Sequence, residues 1–142
     1  MQPSGDNGGN TMLFHTFSSQ DERRQFGGSD FIELQYCRIR QGAEIGEILS
    51  VQAIEHWKND SLYIFGDDMD AFFAQYCKIF SNGIYNNREC GGVDLLGINY
   101  YSPEQTALMT EAIKRETPAD SQRLLDWLDG GKQYNGFYVL GV

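Results

Sequence analysis

At 142 residues the chain fits one domain, with room for a core that needs no disulfide or metal staples. A hydrophobic share of 41% with 13% aromatics excludes the disordered class, and no apolar run approaches the ~20 residues that span a bilayer. Twenty acids against eleven bases leave a net charge of −9, a surface that repels nucleic-acid phosphates and anionic lipid heads.

The opening "MQPSGDNGGN" lacks the basic-then-apolar pattern of a secretory signal. It reads as a flexible tail over residues 1–11, ahead of one globular domain over residues 12–142. "TMLFHTF" is short, aromatic and apolar, which predicts a strand. "SSQDERRQFGGSD" then reads as a loop with room for one helical turn. In "DFIELQYCRIR", Ile32, Leu34 and Tyr36 alternate with polar residues, the period of a half-buried strand. Gly42 and Gly46 bracket a turn. The run Ile48 to Ile54 matches neither period cleanly and is assigned as a strand. A hairpin through "KND" with the next strand, "SLYIF", is the expected connection.

"YIFGDDMDAFFAQYCKIF" sets Asp67, Asp68 and Asp70 at the start of an amphipathic helix. Phe72, Phe73, Tyr76, Cys77, Ile79 and Phe80 form its apolar face, with Cys77 as a small core residue, and Gly83 suits a left-handed end. One aspartate is expected to cap the helix, which leaves the others free. "GDDMD" lacks the spacing of a calcium loop, so no metal is assigned here. From Asn82 to Tyr101 the chain is turn-rich, with no phosphate-loop motif around Gly91 and Gly92. "GINYY" closes that stretch as a strand, and its adjacent tyrosines are expected to split, one buried and one exposed.

"SPEQTALMTEAIKRE" carries the clearest helix start: Ser102 as N-cap, Pro103 at N1 and Gln105 at N3, a capping box. Leu108, Met109, Ala112 and Ile113 form its expected buried stripe. Pro118 leads into a second helix, Ala119 to Asp129, with Leu124, Leu125 and Leu128 inward and Gly130-Gly131 ending it. "NGFYVLGV" returns as a strand apolar enough for both faces to be covered. The order of elements predicts an α+β fold: a single domain, with a mixed, mostly antiparallel sheet and about three helices packed on it.

Motifs for catalysis do not stand out. Cys37, Cys77 and Cys90 are odd in number and widely spaced, with only His15 and His56 to join them, so neither a zinc site nor a disulfide framework is expected. Reduced thiols fit a cytosolic protein. Neither histidine accompanies a recognisable nucleophile motif, and no G-x-S-x-G or H-E-x-x-H occurs. No catalytic residue and no cofactor are assigned. Tyr100, Tyr101, Tyr134, Phe137 and Tyr138 suit an interface, although core packing is the ordinary role of such rings. The charge is uneven: from Glu44 to Asp70 there are seven acids against Lys58 alone. Solvation of a surface accounts for such a run, and so does an electrostatic face for a basic partner.

The C-terminal third, "GINYYSPEQTALMTEAIKRETPADSQRLLDWL" followed by "YNGFYVLGV", resembles the ending of small bacterial immunity proteins. Those accompany polymorphic or contact-dependent growth inhibition toxins and neutralise them in the cytosol. The resemblance covers about Gly97 to Val142. It implies a cytoplasmic partner-binding protein with no catalysis, facing a cognate toxin; the acidic charge fits a basic, nuclease-type toxin domain and neither nucleic acid nor membrane. The expected partner-binding residues, taken from the charge pattern, are Glu47, Glu55, Asp67, Asp68 and Asp70. The alternatives are a small cytosolic enzyme with an unrecognised acid/base site, which could include His56, and an acidic nucleic-acid mimic.

Overall fold

The computed structural model describes residues 12–27, 31–50, 58–81, 83–85, 90–91 and 98–141. The tail, Glu55, His56 and most of the Ile48–Ile54 segment lie outside them. Helix α1 (Gln20–Gly27) precedes strand β1 (Phe31–Tyr36), and the short α2 (Ile45–Ile48) precedes β2 (Leu62–Phe65). Then come α3 (Met69–Tyr76), β3 (Gly83–Tyr85), β4 (Cys90–Gly91), β5 (Ile98–Tyr101), α4 (Pro103–Glu116), α5 (Ser121–Gly130) and β6 (Phe137–Gly141). The strands form one sheet in the order β2-β1-β6-β5-β3-β4, with every pair antiparallel. The α+β architecture is as expected.

Both faces of the sheet are covered, and this decides most of the burial pattern. Cross-strand partners share a face. Tyr36, Phe137 and Tyr101 therefore point one way, while Gln35, Tyr138 and Tyr100 point the other. The first face packs against Phe72 and Tyr76 of α3, Met109 and Ile113 of α4, and Leu124, Trp127 and Leu128 of α5. The second face is covered in two patches. Ile48 and Leu49 lie on Tyr100, Tyr138 and Leu140, while Phe17 lies on Phe31 and Tyr63. All six residues of β1 are accordingly buried, where the alternation predicts a half-buried strand. Tyr100 and Tyr101 are both buried too, because each meets a covered face.

Other local expectations are corrected by where the backbone goes. Among the described residues "TMLFHTF" contributes a single bridge, in which His15 and Tyr63 exchange two backbone hydrogen bonds of 2.9 Å. Ile48 ends a helical turn instead of starting a strand, and the described partner of β2 is β1. Helix α3 stops at Tyr76, and turns carry Ile79 and Phe80 into the core. Cys77 is exposed, and Gly83 opens β3 instead of closing the helix. In α4 the buried stripe keeps Met109 and Ile113, but Leu108 is 67% exposed.

The α4 start follows its sequence. The Ser102 hydroxyl accepts from the Gln105 N–H at 3.2 Å, and the Gln105 side chain accepts from the Ser102 N–H at 3.1 Å. Two otherwise unpaired donors are satisfied, an arrangement whose hydroxyl is typically worth about 1 kcal/mol. Thr117 and Asp120 then take left-handed backbone angles, φ 44° and 56°, which turn the chain into α5. The Asp120 carboxylate accepts from the Leu13 and Phe14 N–H groups, each at 3.0 Å, so the loop pins the N-terminal segment.

Candidate protein-interaction surface

Strand β2 leaves the core at Phe65 and passes through a 3-10 turn, Gly66–Asp68, before α3 begins. This places Asp67, Asp68 and Asp70 together on one turn at the positive end of the helix, where acids are favoured by the dipole. Asp67 and Asp70 are exposed and Asp68 is half-buried. Asp68 occupies the N-cap position, but its side chain makes no cap hydrogen bond, contrary to the capping expectation. Among the described residues none of the three carboxylates forms an ion pair or a side-chain hydrogen bond.

Glu47 stands apart from this turn. It belongs to α2, whose Ile48 covers the opposite face of the sheet from α3. Both of its carboxylate oxygens lie 3.1 Å from Arg40 Nη1. Glu55 lies outside the described residues. The structure thus brings together three of the five residues chosen from charge and leaves a fourth paired within the chain.

His15 neighbours the aspartate turn. The charges of Asp68 and Asp120 draw a proton toward its imidazole, but burial outweighs them and holds its pKa below the ordinary 6.5. Its ring rests on Phe26, with centroids 4.7 Å apart, and Nε2 is buried without a hydrogen-bond partner among the described residues.

Two further features lie beyond what sequence reasoning found. Glu33, on the sheet face covered by Phe17, is fully buried, and its Oε2 accepts from Ser61, Gln35 and Tyr63 at 2.7, 3.0 and 3.3 Å. Burial pushes its carboxyl upward, while these donors and the Arg23 charge pull it back. The buried Arg23 guanidinium sits 5.4 Å and 5.5 Å from the Phe31 and Tyr63 ring centroids. The hint in sequence was a charged residue inside a strand otherwise able to be buried throughout.

The second feature is a groove of about 630 Å³ between α4 and α5, lined at its base by Tyr36, Trp127, Tyr134 and Phe137. Tyr36 stacks with both Trp127 and Tyr134, at centroid distances of 4.1 and 4.9 Å. Gly131 permits this, since a Cβ there would lie 2.3 Å from Tyr36 Cε1. Aromatic abundance was visible in the sequence, but not that three distant rings meet.

Among the described residues no group of three or more His, Cys, Asp or Glu side chains is placed to hold a metal ion, and no helix is long and apolar enough to cross a membrane. The Cys37 thiol is buried, which raises its pKa, and it contacts the Tyr138 hydroxyl at 3.3 Å. Comparison with protein-family models, curated proteins and solved structures finds no match to this chain.

Proposed function

We propose that this chain is an immunity-type protein that binds a basic toxin domain in the cytosol and blocks it by occupying the surface its substrate needs. The observation that carries this reading is the turn at Asp67, Asp68 and Asp70, whose three carboxylates have no ion-pair partner among the described residues. A paired acid such as Glu47 has part of its field cancelled by Arg40, whereas an unpaired cluster projects its full field toward an approaching cation. Nuclease-type domains carry basic surfaces because they bind phosphates, so an acidic binder is steered to the face that matters. The net charge of −9 acts in the same direction at longer range. The toxin-type partner follows from the resemblance of residues 97–142 to immunity proteins.

Co-expression tests this reading. The adjacent reading frame, expressed alone, should arrest growth, and expressed with this chain should not. An adjacent product that is harmless alone, or equally toxic in both cases, would remove the proposal.

A further inference from the structure

The groove between α4 and α5 has a charge pattern of its own. One of its two lysines is paired: Lys132 Nζ lies 2.7 Å from Asp129 Oδ1, and that hydrogen bond, helped by the lysine's charge, holds the Asp129 carboxyl below its ordinary value. Against Lys114 stand the two other acids of the lining. Glu111 has no ion pair or hydrogen bond among the described residues, and Asp126 accepts only from the neutral Gln122 amide, at 2.8 Å. The unbalanced charge in the groove is therefore negative.

The aromatic base points to the same class of ligand. Ring faces attract cations, and the guanidinium more than the ammonium, because it is planar and less strongly hydrated. These rings already hold one guanidinium, since Arg38 Cζ lies 5.1 Å from the Tyr134 centroid and 6.0 Å from that of Tyr36. Asp60 fixes that arginine in place through an ion pair. Tyr134 is only half-buried and lines the groove, so part of its ring stays accessible from the groove.

We propose that this groove is a binding site for an arginine side chain of a protein partner, with the guanidinium on the Tyr134 ring and paired to the Glu111 and Asp126 carboxylates. A groove of about 630 Å³ is larger than one side chain, so the residues flanking that arginine enter with it. Arginine is favoured over lysine because its fork can meet a carboxylate through two parallel hydrogen bonds while its plane lies on a ring. The site is separate from the aspartate turn and stands whether or not the immunity reading does.

The test uses the full chain, labelled with 15N, and capped Gly-Arg-Gly, Gly-Lys-Gly, Gly-Ala-Gly and Gly-Glu-Gly peptides as probes. The Arg peptide should give saturable shifts at the Trp127 indole N–H and at amides along 106–111 and 125–136. The Lys peptide should bind more weakly, and the Ala and Glu peptides should not saturate. The Glu111→Gln/Asp126→Asn variant exchanges only exposed carboxylates for amides and should fold as the parent does. It should raise the Arg-peptide Kd about tenfold, the equivalent of about 1.4 kcal/mol. Tyr134→Leu should weaken the Arg peptide more than the Lys peptide. Equal responses to all four peptides, shifts confined to residues 66–70, or an unchanged Kd in the carboxylate variant would each overturn the assignment.

Discussion

Tyr36 lies flat against Trp127, with ring centroids 4.1 Å apart and planes 7° from parallel, and its hydroxyl donates to the Trp127 carbonyl at 2.7 Å. Trp127 passes the link on, since its indole N–H donates to the Asp60 carbonyl at 2.7 Å. One ring pair thus ties β1, α5 and the approach to β2 together, and burial holds the Tyr36 phenol well above its ordinary pKa of 10. Tyr36→Phe keeps the stack and removes only the hydroxyl, so it should cost about 1 kcal/mol in a urea denaturation. Trp127→Ala removes the stack and opens a cavity, and should cost about 3–5 kcal/mol. Equal losses would mean that the stack contributes nothing beyond the hydroxyl.

Gly136 has φ +78°, and a Cβ there would lie 2.0 Å from the Tyr101 carbonyl oxygen. Backbone cannot yield as a side-chain tip does, and the left-handed angle adds about 1–2 kcal/mol for any residue with a Cβ. Gly136→Ala should therefore lower stability by more than about 2 kcal/mol, enough to lower the thermal midpoint by several degrees. An unchanged midpoint would mean that the β5–β6 approach relaxes freely at this point.

Glu33 gives stability a pH dependence whose sign follows from its burial. Its carboxyl is held above the ordinary 4.5, so the folded state binds that proton more tightly than the unfolded state. The resulting stability is fully present below 4.5 and is lost as pH rises through the folded value. Glu33→Gln should accordingly gain on the parent as pH rises, by at most about 1.4 kcal/mol per unit, and the difference should then level off. A difference that stays flat from about pH 4 to pH 8, read from paired denaturation curves, contradicts the assignment.

Legibility in the sequence followed the range of the interaction that decided each feature. The α4 start depends on Ser102, Pro103 and Gln105, all within four residues, and it was readable in full. The fold class and the doubly covered β6 were readable as well, since an unbroken apolar run from Phe137 to Leu140 has no other use in a sheet. Tyr100 was not, because its cover comes from Ile48 and Leu49, some fifty residues earlier. Leu108 failed for a related reason: it lies one residue, about 100° of helix, from the buried Met109, and which side meets the sheet is set by Ile113 and α5. In the candidate surface, composition located the acids, but only the fold separates Glu47, answered by Arg40, from the unpaired aspartate turn. The groove was out of reach, because Tyr36, Trp127 and Tyr134 meet only once β1 and α5 have packed.

Steering of a basic partner by charge at the aspartate turn, as proposed, is read directly by association kinetics. Stopped-flow mixing of the adjacent reading frame's product with the parent and with Asp67→Asn/Asp68→Asn/Asp70→Asn should show the variant associating roughly tenfold more slowly at low salt. The two rates should converge near 1 M salt, where the screening length falls to about 3 Å. Equal association rates at low salt, from a variant with an unaltered thermal midpoint, would contradict the claim that these carboxylates recruit the partner.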